Sequence, residues 1–429
     1  MFSLYLISLC LLIVLIYKII FKGSILFTSS IFFVVFSQIY FFLDPPRFFV
    51  GESLNVLIYH TITLVLIFIT LIICEKSFFL NRNISFIKEF NFNENIFLFL
   101  SFILVSLPIL IFYINGMDVF SIFTRFYKAD IFENSDLDAY STIINLITRS
   151  VYLLIIVSRF LYNYTENKIY KKSWYIFLLF CLITVLSTGV RSGLVFLVLS
   201  IILVDVFCAK GIFNRKIIKK SFIYGLLGIV ILPAIFFLSQ FRNSSFENYG
   251  ELKQQLTFEN LSNKNIEDKD FYNLNDNIAF SAKKYNDNIC MLCSIEFILV
   301  NPIPRFIWKN KPVGFGKVLA NDMTGAPLSG PGLSMAGGVP GEAIYNLGYW
   351  GLFVFPIFFG VMLSIASWLL LYSRNIFYSS CGLFFLVSYI GTYRGDWSSI
   401  PAFFINCILV LILIFITNRI SSLNFFRHR

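Results

Sequence analysis

Six arginines and one glutamate stand beside long apolar runs of this chain, where a charge is costly unless it is paired. Arginine stays charged, and its planar guanidinium donates two parallel hydrogen bonds to a phosphate or pyrophosphate. Such arginines would also stabilise the charge that develops when a pyrophosphate departs as a leaving group. The pattern predicts a site for a phosphate-bearing anion. The seven residues are Arg47, Arg149, Arg191, Arg242, Arg305, Arg394 and Glu342.

Two of these arginines have simpler explanations that remain open. Arg191 lies in "LSTGVRSGLVF", where two short apolar runs meet, and it could extend to lipid headgroups instead of binding a ligand. Arg149 lies deeper within an apolar run, and its alternative role is a buried ion pair.

Glu342 is the first candidate for a general base, because burial would raise the pKa of its carboxyl group toward the working pH. The alternative is a carboxylate that only complements the positive end of a helix. His60 is the second candidate base, and its alternative is a hydrogen-bonded histidine between helices.

Metal and nucleotide chemistry have little support in the sequence. The chain has two histidines, His60 and His428, and it lacks H-E-x-x-H, P-loop, G-x-S-x-G and dinucleotide-binding patterns. We therefore expect no cofactor and no metal. Cys290 and Cys293 form a C-x-x-C that would be either a disulfide or two free thiols, since two further soft ligands for a metal are lacking nearby.

The elements that position these residues are transmembrane helices. Of the 429 residues, 58% are hydrophobic and 14% are charged, and the mean hydropathy is +0.78. These values exclude a soluble protein. Helices of about 20 apolar residues cross a bilayer, and we predict about eleven of them. They lie near 2–20, 25–43, 54–74, 96–114, 142–163, 174–188, 192–208, 221–240, 343–371, 376–391 and 398–418.

The orientation follows from the basic residues, because Lys and Arg collect on the cytoplasmic side. Most basic residues of the short connections, Arg159 included, fall on one side if the connection after the first run is cytoplasmic. This arrangement places the N-terminus and a large loop, 241–342, in the periplasm and the C-terminus in the cytoplasm. The chain then divides into spans one to eight (1–240), the partly helical loop (241–342), and spans nine to eleven with a short tail (343–429). The net charge of +10 reflects contact with anionic membrane lipids, and nucleic acid is not an expected partner.

The second half of the loop has the composition of a membrane interface. In "NPIPRFIWKNKPVGFG", 301–316, three prolines interrupt any helix, and Trp308 and Lys311 supply an aromatic and a basic side chain. An interfacial anchor is the alternative to a substrate-binding surface. Aromatic residues such as Tyr345 could stack on sugar rings, although most membrane aromatics form interface belts.

The order of four short motifs resembles the O-antigen polysaccharide polymerases of the Wzy type. These motifs are the "TGVRSG" turn, "FR" at 241–242, "PRFIWKNKP" at 304–312 and "VPGEAIYNLGYWG" at 339–351. Members of this family join repeat units carried on undecaprenyl pyrophosphate at the periplasmic face of the bacterial inner membrane. They are related to the O-antigen ligases, which are also membrane glycosyltransferases.

The resemblance implies a mechanism in which a hydroxyl group of the incoming repeat unit attacks the anomeric carbon of the growing chain. Arg191, Arg242 and Arg305 would hold the donor pyrophosphate, and Glu342 would accept the proton. A chain-length regulator is a further partner implied by the family. Substrate-binding roles are expected for Arg149, Arg394, Lys311, Trp308, Tyr345 and His60.

Three other functions remain possible on the sequence. An O-antigen ligase would use the same donor and a lipid A core acceptor. A flippase or other transporter would usually show two related halves, and the single large loop has no counterpart here. A membrane scaffold without catalytic activity would leave the arginines unexplained.

Overall fold

A computed structural model of the chain describes residues 48–79, 92–114, 137–165, 168–188, 191–209, 274–284, 293–300, 310–325, 334–394 and 399–427, with positions 46, 85, 89, 303, 308, 328 and 397. This part of the chain is mostly helical and contains no strands. The helices are α1 (Ser53–Phe79), α2 (Glu94–Ile114), α3 (Leu137–Thr165), α4 (Lys168–Thr188), α5 (Arg191–Cys208), α6 (Leu274–Lys284), α7 (Cys293–Val300), α8 (Phe315–Thr324), α9 (Gly338–Leu347), α10 (Gly351–Tyr372), α11 (Ile376–Arg394) and α12 (Ser399–Arg427).

Three helical segments of the described chain are long and apolar enough to cross a membrane. They are Val50–Cys74, Gly338–Tyr372 and Phe403–Ser422, and α2, α3, α5 and α11 contain shorter apolar stretches. The described residues are therefore mostly helical and contain no strands, as predicted, and three of their segments could span a membrane. The number of spans stays a prediction, and the runs at 2–20, 25–43 and 221–240 lie outside the described residues.

The described helices belong to two compact units. The first unit comprises 1–88 and 272–405, and the second comprises 89–271 and 406–429. The helix α12 begins in the first unit and ends in the second.

Close contacts at small residues hold the apolar helices of the first unit together. A Cβ atom added at Gly360 of α10 would lie 2.6 Å from Cβ of Thr70 in α1, and one added at Gly382 of α11 would lie 2.4 Å from the Ala366 carbonyl oxygen of α10. Helices in lipid have no hydrophobic driving force for association, so their association depends on close packing of this kind. The glycines thus determine how closely α10 approaches α1 and α11.

The predicted ninth span is interrupted near its beginning. A 3₁₀ turn, Gly348–Trp350, separates α9 from α10. Gly348 has φ of +60°, a conformation that glycine adopts without steric cost. Gly351 follows the turn, and a Cβ atom there would lie 2.0 Å from the Ala343 carbonyl oxygen. The continuous apolar composition predicted one helix over 343–371, but these glycines allow the chain to fold a short helix against the start of a long one.

The second unit contains a buried ion pair between Arg159 and Asp205. From the sequence, Arg159 was expected among the basic residues on the cytoplasmic side. Nε and Nη2 of Arg159 in α3 donate to Oδ1 and Oδ2 of Asp205 in α5, at 2.8 and 2.6 Å. Asn163 donates to the same carboxylate at 2.9 Å, and the guanidinium carbon lies 4.4 Å from the ring centroid of Trp174 in α4. Because both charges are buried, Arg159 joins α3, α4 and α5 rather than facing headgroups.

Candidate active site

Glu342 lies in a short helix that is buried along almost its whole length. Every residue of α9 from Gly338 to Asn346 is buried, and Glu342 itself is 1% exposed. Glu342 is in the second turn of α9, so its carboxylate does not complement the free N–H groups of the first turn. A buried carboxylate needs hydrogen-bond donors, and the backbone N–H of Trp397 is one of them, 3.0 Å from Oε2.

Trp397 is fixed by the apolar helices of the same unit. Its buried indole ring packs against Phe355, Phe358 and Phe359 of α10, with centroid separations of 4.1, 5.4 and 4.8 Å. The backbone N–H group that donates to Glu342 is therefore held rigidly. Arg394 ends α11 three residues before Trp397, so this hydrogen bond connects the chain just after α11 to Glu342.

The next turn of α9 binds α7, a helix of the large loop, 241–342. The side chain of Asn346 donates to Ser294 Oγ at 2.9 Å and to the Glu342 carbonyl oxygen at 2.7 Å. Its Oδ1 accepts the backbone N–H of Ser294 at 2.9 Å, which satisfies a donor in the first turn of α7. Asn346 thus fixes α7 against the helix that carries Glu342.

Three consecutive residues of α6, which we call the α6 polar triplet, connect this helix to α1, to the residues before α1 and to the residues before α9. Asn275 Oδ1 lies 2.9 Å from Nε2 of His60 in α1. Asp276 Oδ1 accepts the backbone N–H groups of Phe48 and Phe49 at 2.8 and 3.3 Å. Asn277 donates to the carbonyl oxygen of Ala336, just before α9, at 2.8 Å.

The position of α6 gives His60 and Glu342 a common neighbour. A Cβ atom at Gly341 would lie 3.3 Å from the Cα atom of Ile278, so α6 and α9 are in close backbone contact beside Glu342. On its other side, α6 holds His60 through Asn275. Glu342 and His60 are therefore both close to α6. The hydrogen bond between His60 and Asn275 is the interhelical bond expected for a histidine with a structural role.

Tyr345, one of the aromatics expected to bind substrate, is also on α9. Its hydroxyl group donates to Oδ2 of Asp322 in α8 at 2.6 Å. Its ring packs edge-on against Phe315, 5.2 Å between centroids. Tyr345 is buried in this apolar cluster, so its ring is not presented flat to a ligand.

The two predicted residues of the proline-rich segment differ in exposure. Lys311 is buried, and its Nζ donates to the Ile303 carbonyl oxygen at 2.9 Å. This bond, with the Phe297 ring 5.6 Å from Nζ, gives Lys311 a role in holding the segment folded. Trp308 is 39% exposed, which suits either an interface anchor or a substrate contact.

The arginines are less fully described. Arg149 lies within α3, Arg191 is the first residue of α5 and Arg394 is the last residue of α11. Helix α4 ends at Thr188 and α5 begins at Arg191, close to the predicted bounds of the sixth and seventh runs, and positions 189 and 190 of "TGVRSG" lie outside the described residues. Arg47, Arg242, Arg305 and Cys290 lie outside the described residues, whereas Cys293 begins α7.

Sequence reasoning missed the residues that hold the site together. Asn275, Asp276 and Asn277 lie in a polar stretch, and Asp322 belongs to none of the quoted motifs. Asn346 lies inside "VPGEAIYNLGYWG", but it was not singled out as a site residue. The partners of these residues are 23 to 228 residues away in sequence, so no local pattern could identify them. Among the described side chains, no group of three or more His, Cys, Asp or Glu residues could bind a metal.

The chain matches no protein-family model, no curated protein and no solved structure.

Proposed function

We propose that this protein is a membrane glycosyltransferase that polymerises O-antigen repeat units carried on undecaprenyl pyrophosphate. The observation that carries the proposal is the setting of Glu342. Glu342 is buried and accepts a hydrogen bond from a fixed backbone amide. It lies against helices of the large loop, 241–342, and directly precedes a long apolar helix. A carboxylate with these neighbours suits proton transfer at a membrane surface.

The proposal includes the topology inferred from the basic residues. About eleven spans cross the bacterial inner membrane, with the N-terminus in the periplasm and the C-terminus in the cytoplasm. The loop at 241–342 then covers the site on the periplasmic side. Lipid-linked repeat units and membrane lipids are the partners, with a chain-length regulator as an additional one.

In the proposed reaction, an acceptor hydroxyl oxygen attacks the anomeric carbon of the donor sugar. The new glycosidic C–O bond forms as the C–O bond to the pyrophosphate breaks. Undecaprenyl pyrophosphate leaves with the electron pair, and the hydroxyl proton passes to the carboxylate of Glu342. Arg191, Arg242 and Arg305 stabilise the departing pyrophosphate, so charge compensation comes from side chains instead of a metal.

Deletion of the gene in its native host, followed by gel electrophoresis of lipopolysaccharide, tests the proposal. A polymerase defect removes the ladder of long chains and leaves one repeat unit on the core. Loss of every repeat unit from the core would instead support a ligase or a flippase. An unchanged ladder would refute all three activities.

Complementation of the deletion strain tests the arginines. We expect Arg191→Ala, Arg242→Ala and Arg305→Ala each to shorten or abolish the ladder at normal protein abundance. Lys284→Ala is a suitable control, because this lysine at the end of α6 forms no ion pair within the described chain. Normal ladders from all three arginine variants would contradict their assignment to the donor pyrophosphate.

A further inference from the structure

A second carboxylate, Asp322, lies close to the helix that bears Glu342. One oxygen of Asp322 accepts the hydroxyl hydrogen of Tyr345 at 2.6 Å. Tyr345 follows Glu342 by three residues on α9, and side chains three apart are neighbours on a helix surface. Asp322 therefore contacts the helix that bears the candidate base.

Asp322 is held firmly although it is not buried. Phe315, Leu319 and Ala320 of α8 form an apolar cluster with Met335 and Tyr345, which docks α8 onto α9. The Met335 N–H donates to the Gly316 carbonyl oxygen at 2.8 Å, which joins the start of α8 to the segment before α9. Because α8 is anchored along this face, the position of Asp322 at its end is fixed.

Asp322 and Tyr345 can accept more hydrogen bonds than the one that joins them. Asp322 is partly exposed, and within the described chain its second oxygen, Oδ1, has no hydrogen-bond partner. An ionised carboxylate oxygen accepts two hydrogen bonds, and the Tyr345 oxygen, which donates to Asp322, can still accept one. The pair thus offers several acceptors and no spare donor.

We propose that Asp322 and Tyr345 form a subsite that binds hydroxyl groups of the acceptor sugar. Neutral sugars carry adjacent hydroxyl donors, which a fixed carboxylate binds more strongly than a neutral acceptor does. An anionic phosphate would be repelled by the same carboxylate, so this subsite separates the acceptor sugar from the donor pyrophosphate. The inference rests on the proposed function, since it assigns a sugar to a position on the helix that bears Glu342.

Ligand-observed NMR on the purified full-length protein in lipid nanodiscs tests the subsite without requiring catalysis. The probes are methyl glycosides of glucose, galactose, N-acetylglucosamine and N-acetylgalactosamine. We expect saturation transfer from the wild-type protein to at least one glycoside and a loss of fivefold or more in Asp322→Asn. Tyr345→Phe should weaken binding less, because it frees the carboxylate without removing it.

Thr324→Ala is the matched control on α8, because Thr324 donates only to the Ala320 carbonyl oxygen of its own helix. This variant should bind the glycosides as the wild-type protein does. If Asp322→Asn lowers the thermal midpoint, Asp322→Glu replaces it and should restore at least half of the wild-type signal. Equal binding by wild type and Asp322→Asn, or no saturation transfer to any probe, would overturn the subsite.

The two proposals fail in distinguishable ways. An unchanged lipopolysaccharide ladder after gene deletion refutes the polymerase, whatever the glycosides do. A correct gel phenotype combined with glycoside binding that is independent of Asp322 refutes the subsite alone.

Discussion

Glu342 accepts a backbone hydrogen bond from Trp397, so its structural and chemical roles can be separated by the choice of replacement. Glutamine retains an oxygen acceptor for that N–H and removes the charge, whereas alanine removes both. If the carboxylate accepts a proton, Glu342→Gln and Glu342→Ala should both abolish the ladder. The measurement is lipopolysaccharide electrophoresis of complemented strains, with protein abundance followed by immunoblot.

A structural role alone predicts a different result for the same pair of variants. Glu342→Gln would then keep the ladder, and only Glu342→Ala would lose it together with protein abundance. That outcome would leave His60, held by Asn275, as the remaining candidate base.

Asp276 of the α6 polar triplet supports a prediction about stability. Asp276→Ala removes the acceptor of the hydrogen bonds from the Phe48 and Phe49 N–H groups, and a hydrogen bond contributes about 0.5–1.5 kcal/mol to stability. We expect a lower thermal midpoint in detergent for Asp276→Ala and a smaller decrease for Asp276→Asn. Lys284→Ala, on the same helix, should leave the midpoint unchanged, and equal midpoints for all variants would mean that α6 does not fix this segment.

At the scale of elements, the junction between α9 and α10 is the feature most sensitive to a small change. Gly351→Ala would place a methyl group 2.0 Å from the Ala343 carbonyl oxygen, and such overpacking costs about 1–3 kcal/mol or more. We expect reduced yield and a shortened ladder, because the junction positions Glu342. Gly51→Ala is the control, since no atom lies within 4 Å of its added Cβ, and normal behaviour of Gly351→Ala would show that the junction relaxes freely.

The ion pair of the second unit leads to a separate prediction. Asp205→Asn removes the charge that compensates buried Arg159, and breaking one partner of such a pair costs about 3–5 kcal/mol. We expect the purified protein to unfold at a lower temperature. The double variant Arg159→Met with Asp205→Leu should recover part of the loss, because it leaves no unpaired buried charge, and a double variant less stable than Asp205→Asn would contradict this explanation.

The sequence predicted elements better than it predicted the site. Apolar runs at 54–74, 96–114 and 376–391 coincide with α1, α2 and α11, because a helix in lipid satisfies its own backbone and depends on local composition. The break at Gly348–Trp350 was missed, since "GYWG" contains no charged residue and no proline, and the close approach of Gly351 to Ala343 cannot be seen in the sequence.

Within the site, Glu342 and His60 stood out in the sequence because a titratable side chain interrupts an apolar context. Both are buried, and their roles stay predictions. Asp276 could not be found, because it lies in a polar stretch and its partners Phe48 and Phe49 are more than 200 residues away. Asp322 was missed because its partner Tyr345 lies in a different helix, 23 residues away.

At the scale of the whole molecule, the topology can be tested with single cysteines in a cysteine-free variant. Asn310→Cys, at an exposed position in the large loop, should react with a membrane-impermeant maleimide in intact spheroplasts. Ser422→Cys, exposed near the end of α12, should react only after the membrane is permeabilised. Labelling of Ser422→Cys in intact spheroplasts would reverse the proposed orientation.

The packing of α1 against α10 also affects how the protein is made. These two helices form the most extensive helix–helix contact between described elements, yet roughly 290 residues separate their ends at Phe79 and Tyr372. At about 5–20 residues per second, synthesis of that interval takes roughly 15–60 s. During this time the face of α1 that meets α10, which includes Thr70 opposite Gly360, is not yet covered by α10. A chain that stops before α10 would leave this face uncovered, and we expect the cell to degrade it as an incomplete product.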